Sequence, residues 1–250
     1  MLLEPIAKKQ RIPSAVSSLL ISCEHGGNRI PESYRHLFHG HCTLLESHCG
    51  FDRGALVMAR AMARRFHAPL MSSTVSRLVV DLNRSIGHRN LHAEAVNKLP
   101  ASDRQEIIEY YYKPYRAEVE QAAAQVISAQ GRVIHISCHS FTDNLNGEVR
   151  HADIGLLYDP TRQGESDLCA DWKSALEMIA PELSVRRNFP YHGSDDGLTT
   201  SLRKTFASDV YAGIELELNQ KNLTTPTNQW LGLRDLISTS LEKALNSRHP

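Results

Sequence analysis

Apolar positions along this chain fall into two alternating rhythms. Short apolar runs at residues 19–22, 133–137, 154–158 and 211–218 predict buried strands, and 69–71 with 78–80 predict two shorter ones. Between them the apolar residues recur at helical spacing. Leu44, Leu45, Ala55, Leu56, Ala59 and Met62 mark a helix over about 43–66, interrupted at Gly50. A long amphipathic helix fits 101–130, with Ser102-Asp103 as its cap and Gly131 as its stop. Two further helices fit 166–179 and 230–245. Strands alternating with helices predict an α/β fold whose sheet is covered on both faces and whose strand ends bind ligands. No linker, repeat or low-complexity tract divides the chain, so residues 1–250 are expected to form one catalytic domain.

Composition narrows the function classes. Lys+Arg and Asp+Glu both number 28, so the net charge is zero and no basic track for nucleic acid or a membrane surface is expected. The five cysteines are an odd count at positions 23, 42, 49, 138 and 169, without a CxxC pair. They read as reduced thiols rather than a disulfide framework or a Cys-type zinc site. The N-terminal stretch carries an acidic residue early, and the apolar run before Cys23 is too short for a signal-peptide core or a membrane span. A cytoplasmic location is therefore expected. Of thirteen histidines, His36, His39, His41 and His48 crowd one expected surface stretch.

The chemistry-bearing residues cluster at predicted strand ends. One strand runs into Glu24-His25-Gly26-Gly27, where glycines allow close backbone approach, and another into Cys138-His139-Ser140. If these strands are neighbours, both imidazoles stand over one crevice, a geometry that suits a zinc with three protein ligands and one open position. As loop residues bonded to backbone, the same histidines would be merely structural. Asp52, Glu24 and Glu32 are candidates for a carboxylate ligand, and Asp52, just before a helix, is equally placed to be an N-cap. In Ser76-Arg77-Leu78-Val79-Val80-Asp81-Leu82-Asn83-Arg84 the two arginines suit an anionic substrate, one of them free to stabilise an oxyanion, unless they pair with Asp81. Glu215 and Glu217 share one face of an otherwise apolar strand, where burial is costly without a task such as general-base catalysis. Two readings compete. A metal-independent acyl hydrolase would use Cys138 or Ser140 with His139 or His135 as base, although strand neighbours face opposite ways and no G-x-S-x-G elbow is present. A non-catalytic binding protein on the same fold is the other.

Taken together, CEHGGNRIP, FDRGA, SRLVVDLNR, YYYKPYRAEV, ISCHS and GIELELNQ resemble the N-formylglutamate amidohydrolase family in its divergent branch, over roughly residues 18–220. That family is similar to the zinc carboxypeptidases and aspartoacylases, which implies three αβα layers, a mixed, mostly parallel central sheet and one Zn2+ per chain. The resemblance implies that His25 and His139 are zinc ligands. It further implies that Asn83 and Arg84 hold the carboxylate of a small anionic N-acyl amino acid such as N-formyl-L-glutamate. By the same resemblance Arg77 polarises the scissile carbonyl and Glu217 is the general base, with Glu215 as the alternative. Where the related carboxypeptidases place a Glu three residues after the first histidine, this chain has Asn28. Asp52, standing where the family carries an Asp before its first long helix, is then the expected third ligand.

Overall fold

A computed structural model describes residues 18–223 and 227–247 of the chain. The N-terminal stretch 1–17, read above for targeting signals, lies outside the described residues. Strands β1 (Leu19–Cys23), β2 (Leu70–Ser72), β3 (Val133–Phe141), β6 (Ile154–Leu157), β7 (Val185–Arg187) and β8 (Tyr211–Asn219) form one sheet, and β4 (Asn144–Leu145) pairs with β5 (Glu148–Val149) in a small hairpin. The sheet order is β2-β1-β3-β8-β6-β7, parallel throughout except where β6 runs antiparallel to β8. This is the mixed, mostly parallel sheet between helical layers that the family resemblance implied.

The period-2 alternation of side chains gives the sheet two chemically different faces. On one, Ile21, Ile136, Cys138, Ile214 and Leu216 join a continuous apolar core with α2 (Ala55–Phe66), α6 (Gln163–Ile179) and α8 (Thr227–Asn246). On the other, Leu20, Val133 and Tyr211 at the start of their strands pack on α5 (Lys113–Gln130). Further along that face the residues turn polar: Ser22, Glu24, His135, Ser137, His139, Glu215 and Glu217, all buried. Register sets Ser137 beside Glu215 and His139 beside Glu217. The polar stripe at the carboxyl ends of β1, β3 and β8 is therefore a consequence of alternation and register.

Several expected elements took other forms. The helix over 43–66 is two, α1 (Cys42–Leu45) and α2, separated by turns. Gly50 lies in that break with its Cα so close to Leu45 that a Cβ would meet the Leu45 carbonyl oxygen at 2.1 Å. Residues 78–80 are not a strand. Their side chains fill the second core, but their backbone bonds to a loop, with Leu78 O accepting from Ala93 N and Val79 O from His92 Nδ1. An apolar triplet satisfied by burial in a loop looks the same in sequence as a short strand. The long helix is observed as α4 (Ala101–Ile107), a π turn (Ile108–Tyr112) and α5, with α3 (Glu94–Asn97) before it. Pro114, in the first turn of α5, has no N–H for the regular ladder, which accounts for a π turn just upstream. Gly131 stops α5 in the left-handed conformation, as expected, whereas Pro100 and not Ser102-Asp103 occupies the cap position of α4.

Candidate active site

His25 lies two residues past the end of β1, after Glu24, while His139 lies inside β3, which continues past the expected end to Phe141. Their ring centroids are 5.2 Å apart. Asp52 comes from the turn before α2 and is tied to the loop after β1 by its own N–H, donated to His25 O at 2.9 Å. Its carboxylate does not cap the helix, whose cap position is Gly54 in the left-handed conformation. Instead Asp52 Oδ2 meets Nδ1 of His139 at 2.8 Å and Nδ1 of His25 at 3.3 Å. The other ring nitrogens are held from behind: His25 Nε2 on Asp81 Oδ1 at 2.7 Å, His139 Nε2 on Glu24 Oε2 at 3.0 Å. Asp52 and Asp81 are in turn bridged by Arg77, whose Nη2 donates to Asp81 at 2.7 Å and Nη1 to Asp52 at 3.3 Å.

Charge and burial oppose each other throughout this cluster. Burial pulls the His139 pKa down, but hydrogen bonds to Asp52 and Glu24 outweigh it and hold the pKa well above the imidazole norm. His25 is likewise raised, burial and Arg77 being overcome by Asp81 and Asp52. Burial would raise the carboxyls of Asp52 and Glu24, yet their histidine partners hold both far below the usual carboxylate range. Glu217 behaves oppositely. Burial, with the neighbouring charges of Asp52 and Glu215, pushes it up to about 8. Its Oε2 is buried and has no hydrogen-bond partner among the described residues, whereas Glu215 Oε1 accepts from Thr199 Oγ1 at 2.7 Å.

Ligand atoms of His25, Asp52 and His139 lie within 4.8 Å of one another, all three residues buried. Two imidazole nitrogens and a carboxylate oxygen, with the far nitrogen of each ring fixed by a carboxylate, are a donor set that suits a divalent metal. The unpartnered Glu217 oxygen beside them fits the same purpose, since a buried carboxylate without a partner is costly unless something polar meets it. The residues present therefore fit a metal.

These residues line one cleft. Asn83 and Arg84 form part of its wall and are docked on the following segment: Asn83 Oδ1 accepts from Leu198 N at 2.6 Å, and Arg84 Nη1 donates to Asp196 O at 2.8 Å. Arg77 also lines it, although two of its donors are occupied by Asp52 and Asp81. The remaining candidates are elsewhere. Glu32 is exposed and pairs with Arg35, and Asn28 donates to Leu45 O and Glu46, away from the histidines. Cys138 sits on the opposite, apolar face, its thiol pushed up by burial, and His135 is fully engaged by Tyr211 and Ser22. Ser140 is held by Arg53 O and Gln220.

Three participants were not given a role from the sequence. Asp81 was weighed only as an ion-pair partner, although it stands in the motif that carries Arg77 and Arg84. Tyr191 lies in a loop rich in turn formers whose contacts no pattern reveals. Arg150 follows the β4–β5 hairpin, is 8% exposed, lies over the Tyr191 ring at 5.1 Å from its centroid and has no ion-pair partner among the described residues. Nothing in its neighbours along the chain marks it.

Comparison with known proteins identifies the family and the fold. The family model described as N-formylglutamate amidohydrolase matches residues 17–224. The crystal structure of gene product Atu2144 from Agrobacterium tumefaciens superposes with a TM-score of 0.81 at 28% identity, covering 93% of this chain and 92% of that one. The crystal structure of N-formylglutamate amidohydrolase from Ralstonia eutropha JMP134 superposes with a TM-score of 0.69 at 18% identity, covering 92% and 93%. No protein of curated function matches the chain.

Proposed function

From the chain's membership of the N-formylglutamate amidohydrolase family, we propose that it is a metal-dependent amidohydrolase that cleaves a small anionic N-acyl amino acid, and that the metal is zinc. The observation that carries this reading is the convergence of His25, Asp52 and His139 in one buried cluster beside an unpartnered Glu217. His25, Asp52 and His139 would hold the metal, which when bound supplies a Lewis acid for the acyl carbonyl and brings the pKa of water toward about 7. Glu217 takes the proton from the attacking water at Oε2 and passes it to the leaving nitrogen. A carboxyl pushed up by burial is suited to both halves of that transfer. Arg77 keeps Asp52 and Asp81 in place and offers its remaining N–H groups to the oxyanion. Arg84 and Asn83 bind the α-carboxylate, which sets the scissile bond over the cluster. Arg150, a buried guanidinium in the same cleft, favours a substrate with a second carboxylate, and N-formyl-L-glutamate is the first compound to assay.

The test is elemental analysis of the purified protein and of His139→Ala, with hydrolysis measured on a panel of N-formyl and N-acetyl amino acids. Near-stoichiometric zinc in the wild type, lost together with turnover in the variant, is the expected result. Turnover that persists after chelation and without metal would overturn the mechanism.

A further inference from the structure

The YYYKPYRAEV segment has no part in the reaction just described, yet it reaches the underside of the site. Beyond the π turn, α5 directs Tyr115 at Glu24, donating from its hydroxyl to Oε1 at 2.8 Å. Glu24 is fully buried, and its other oxygen accepts from Ser137 Oγ and faces His139 Nε2 at 3.0 Å. Its one ion-pair partner among the described residues is His139. A carboxylate kept in the interior with no Lys or Arg to balance it is costly, and the charged interaction that offsets the cost is with that single ring. Ser137 Oγ lies 2.9 Å from the same nitrogen, so the back edge of the imidazole is contacted from two sides while Nδ1 is left facing Asp52.

We propose that Tyr115 and Glu24 are positioning residues for His139: the phenol fixes the carboxylate, and the carboxylate fixes the tautomer and tilt of the ring, so that Nδ1 points into the cluster with Asp52. The inference rests on the metal reading above and adds to it a helix-borne brace reaching from α5 through β1 to β3. Carboxylates behind a metal-binding histidine raise its basicity and hold its orientation, and their loss weakens metal binding by about ten- to hundredfold. Tyr112, the last residue of the π turn, provides the contrast. Its hydroxyl donates to Arg84 O at 2.7 Å, on the substrate side, and has no path to His139.

The experiment is the Zn2+ dissociation constant, measured by competition with a chromophoric chelator, for the wild type, Tyr115→Phe, Glu24→Gln and Tyr112→Phe, with melting temperatures alongside. Tyr115→Phe should weaken zinc binding about tenfold and Glu24→Gln up to about a hundredfold, while Tyr112→Phe stays within about twofold of wild type. If Glu24→Gln does not fold, Tyr115→Phe decides, since it removes one oxygen and keeps the ring. Wild-type affinity in Tyr115→Phe, or equal losses in Tyr115→Phe and Tyr112→Phe, overturns the brace. A wild type that takes up no zinc brings down the metal reading itself, a result distinct from either.

Discussion

Side chains of one chemical type divide the labour here by what surrounds them. Glu217 and Glu215 are two residues apart on β8, but Thr199 occupies one Glu215 oxygen while Glu217 Oε2 is unmet. Glu217→Gln should therefore lower kcat about 10²–10⁴-fold with zinc content unchanged, the loss typical of a missing general base. Equal losses of metal and turnover would instead make Glu217 a ligand. On the proposed metal reading, Asp81 acts on the metal side of the site, because it holds His25 Nε2. Asp81→Asn should weaken zinc binding about ten- to hundredfold, measured by chelator competition, with Arg77 left paired to Asp52. His25 and His139 could be placed near strand ends from the apolar runs that precede them, whereas Asp52 was picked out from Glu24 and Glu32 only by the family resemblance, because a helix start equally suits an N-cap. Arg150 was not legible in the sequence, since an arginine after a hairpin has no local signature and its burial depends on Tyr191, 41 positions further on.

At the level of elements, the cleft owes its wall to a buried ion pair remote from the chemistry. Glu165 on α6 and Arg203 on α7 (Leu198–Thr205) pair at 2.9 Å with side chains 1% and 5% exposed. The same guanidinium donates to Gly193 O in the loop that carries Tyr191 and His192, and Glu165 also accepts from Gly213 N on β8. Removing one partner leaves the other charge buried and unbalanced, so Glu165→Gln should cost about 3–5 kcal/mol in urea unfolding. A loss no larger than that of an exposed pair such as Lys98–Glu94 would show that the clamp contributes little. The long strands and α6, α8 and the α4–α5 helix were readable from periodicity, since burial on one face leaves a regular trace. The segment 78–80 was misread because its apolar residues point into a core from a turn, and periodicity records burial without recording which backbone partner is used. The π turn was equally hidden, although Pro114 supplies its cause.

For the molecule as a whole, the polar stripe crosses a sheet otherwise built for burial, and that makes stability depend on pH in a way one residue isolates. His135 lies deep in β3 between Tyr211 and Ser22, and burial pulls its pKa from the usual imidazole value of 6.5 down to about 4. The unfolded chain then takes up a proton at that site before the folded one does. The stability His135 contributes is complete above about pH 6.5, falls as pH drops through 6.5, and is gone below about 4. Other groups, Glu217 among them, shift the opposite way and mix into the total, because a carboxyl raised to about 8 favours the folded state as pH falls below 8. The difference between wild type and His135→Gln cancels them. From pH 7 to pH 5, the unfolding free energy of the wild type relative to the variant should shrink by about 2 kcal/mol, read from urea titrations of metal-free protein at each pH. A difference that stays constant across that interval would mean that the folded and unfolded imidazoles titrate together, and one that grows as pH falls would mean that the buried imidazole is charged in the folded state, stabilised by its two hydroxyl partners and Glu24.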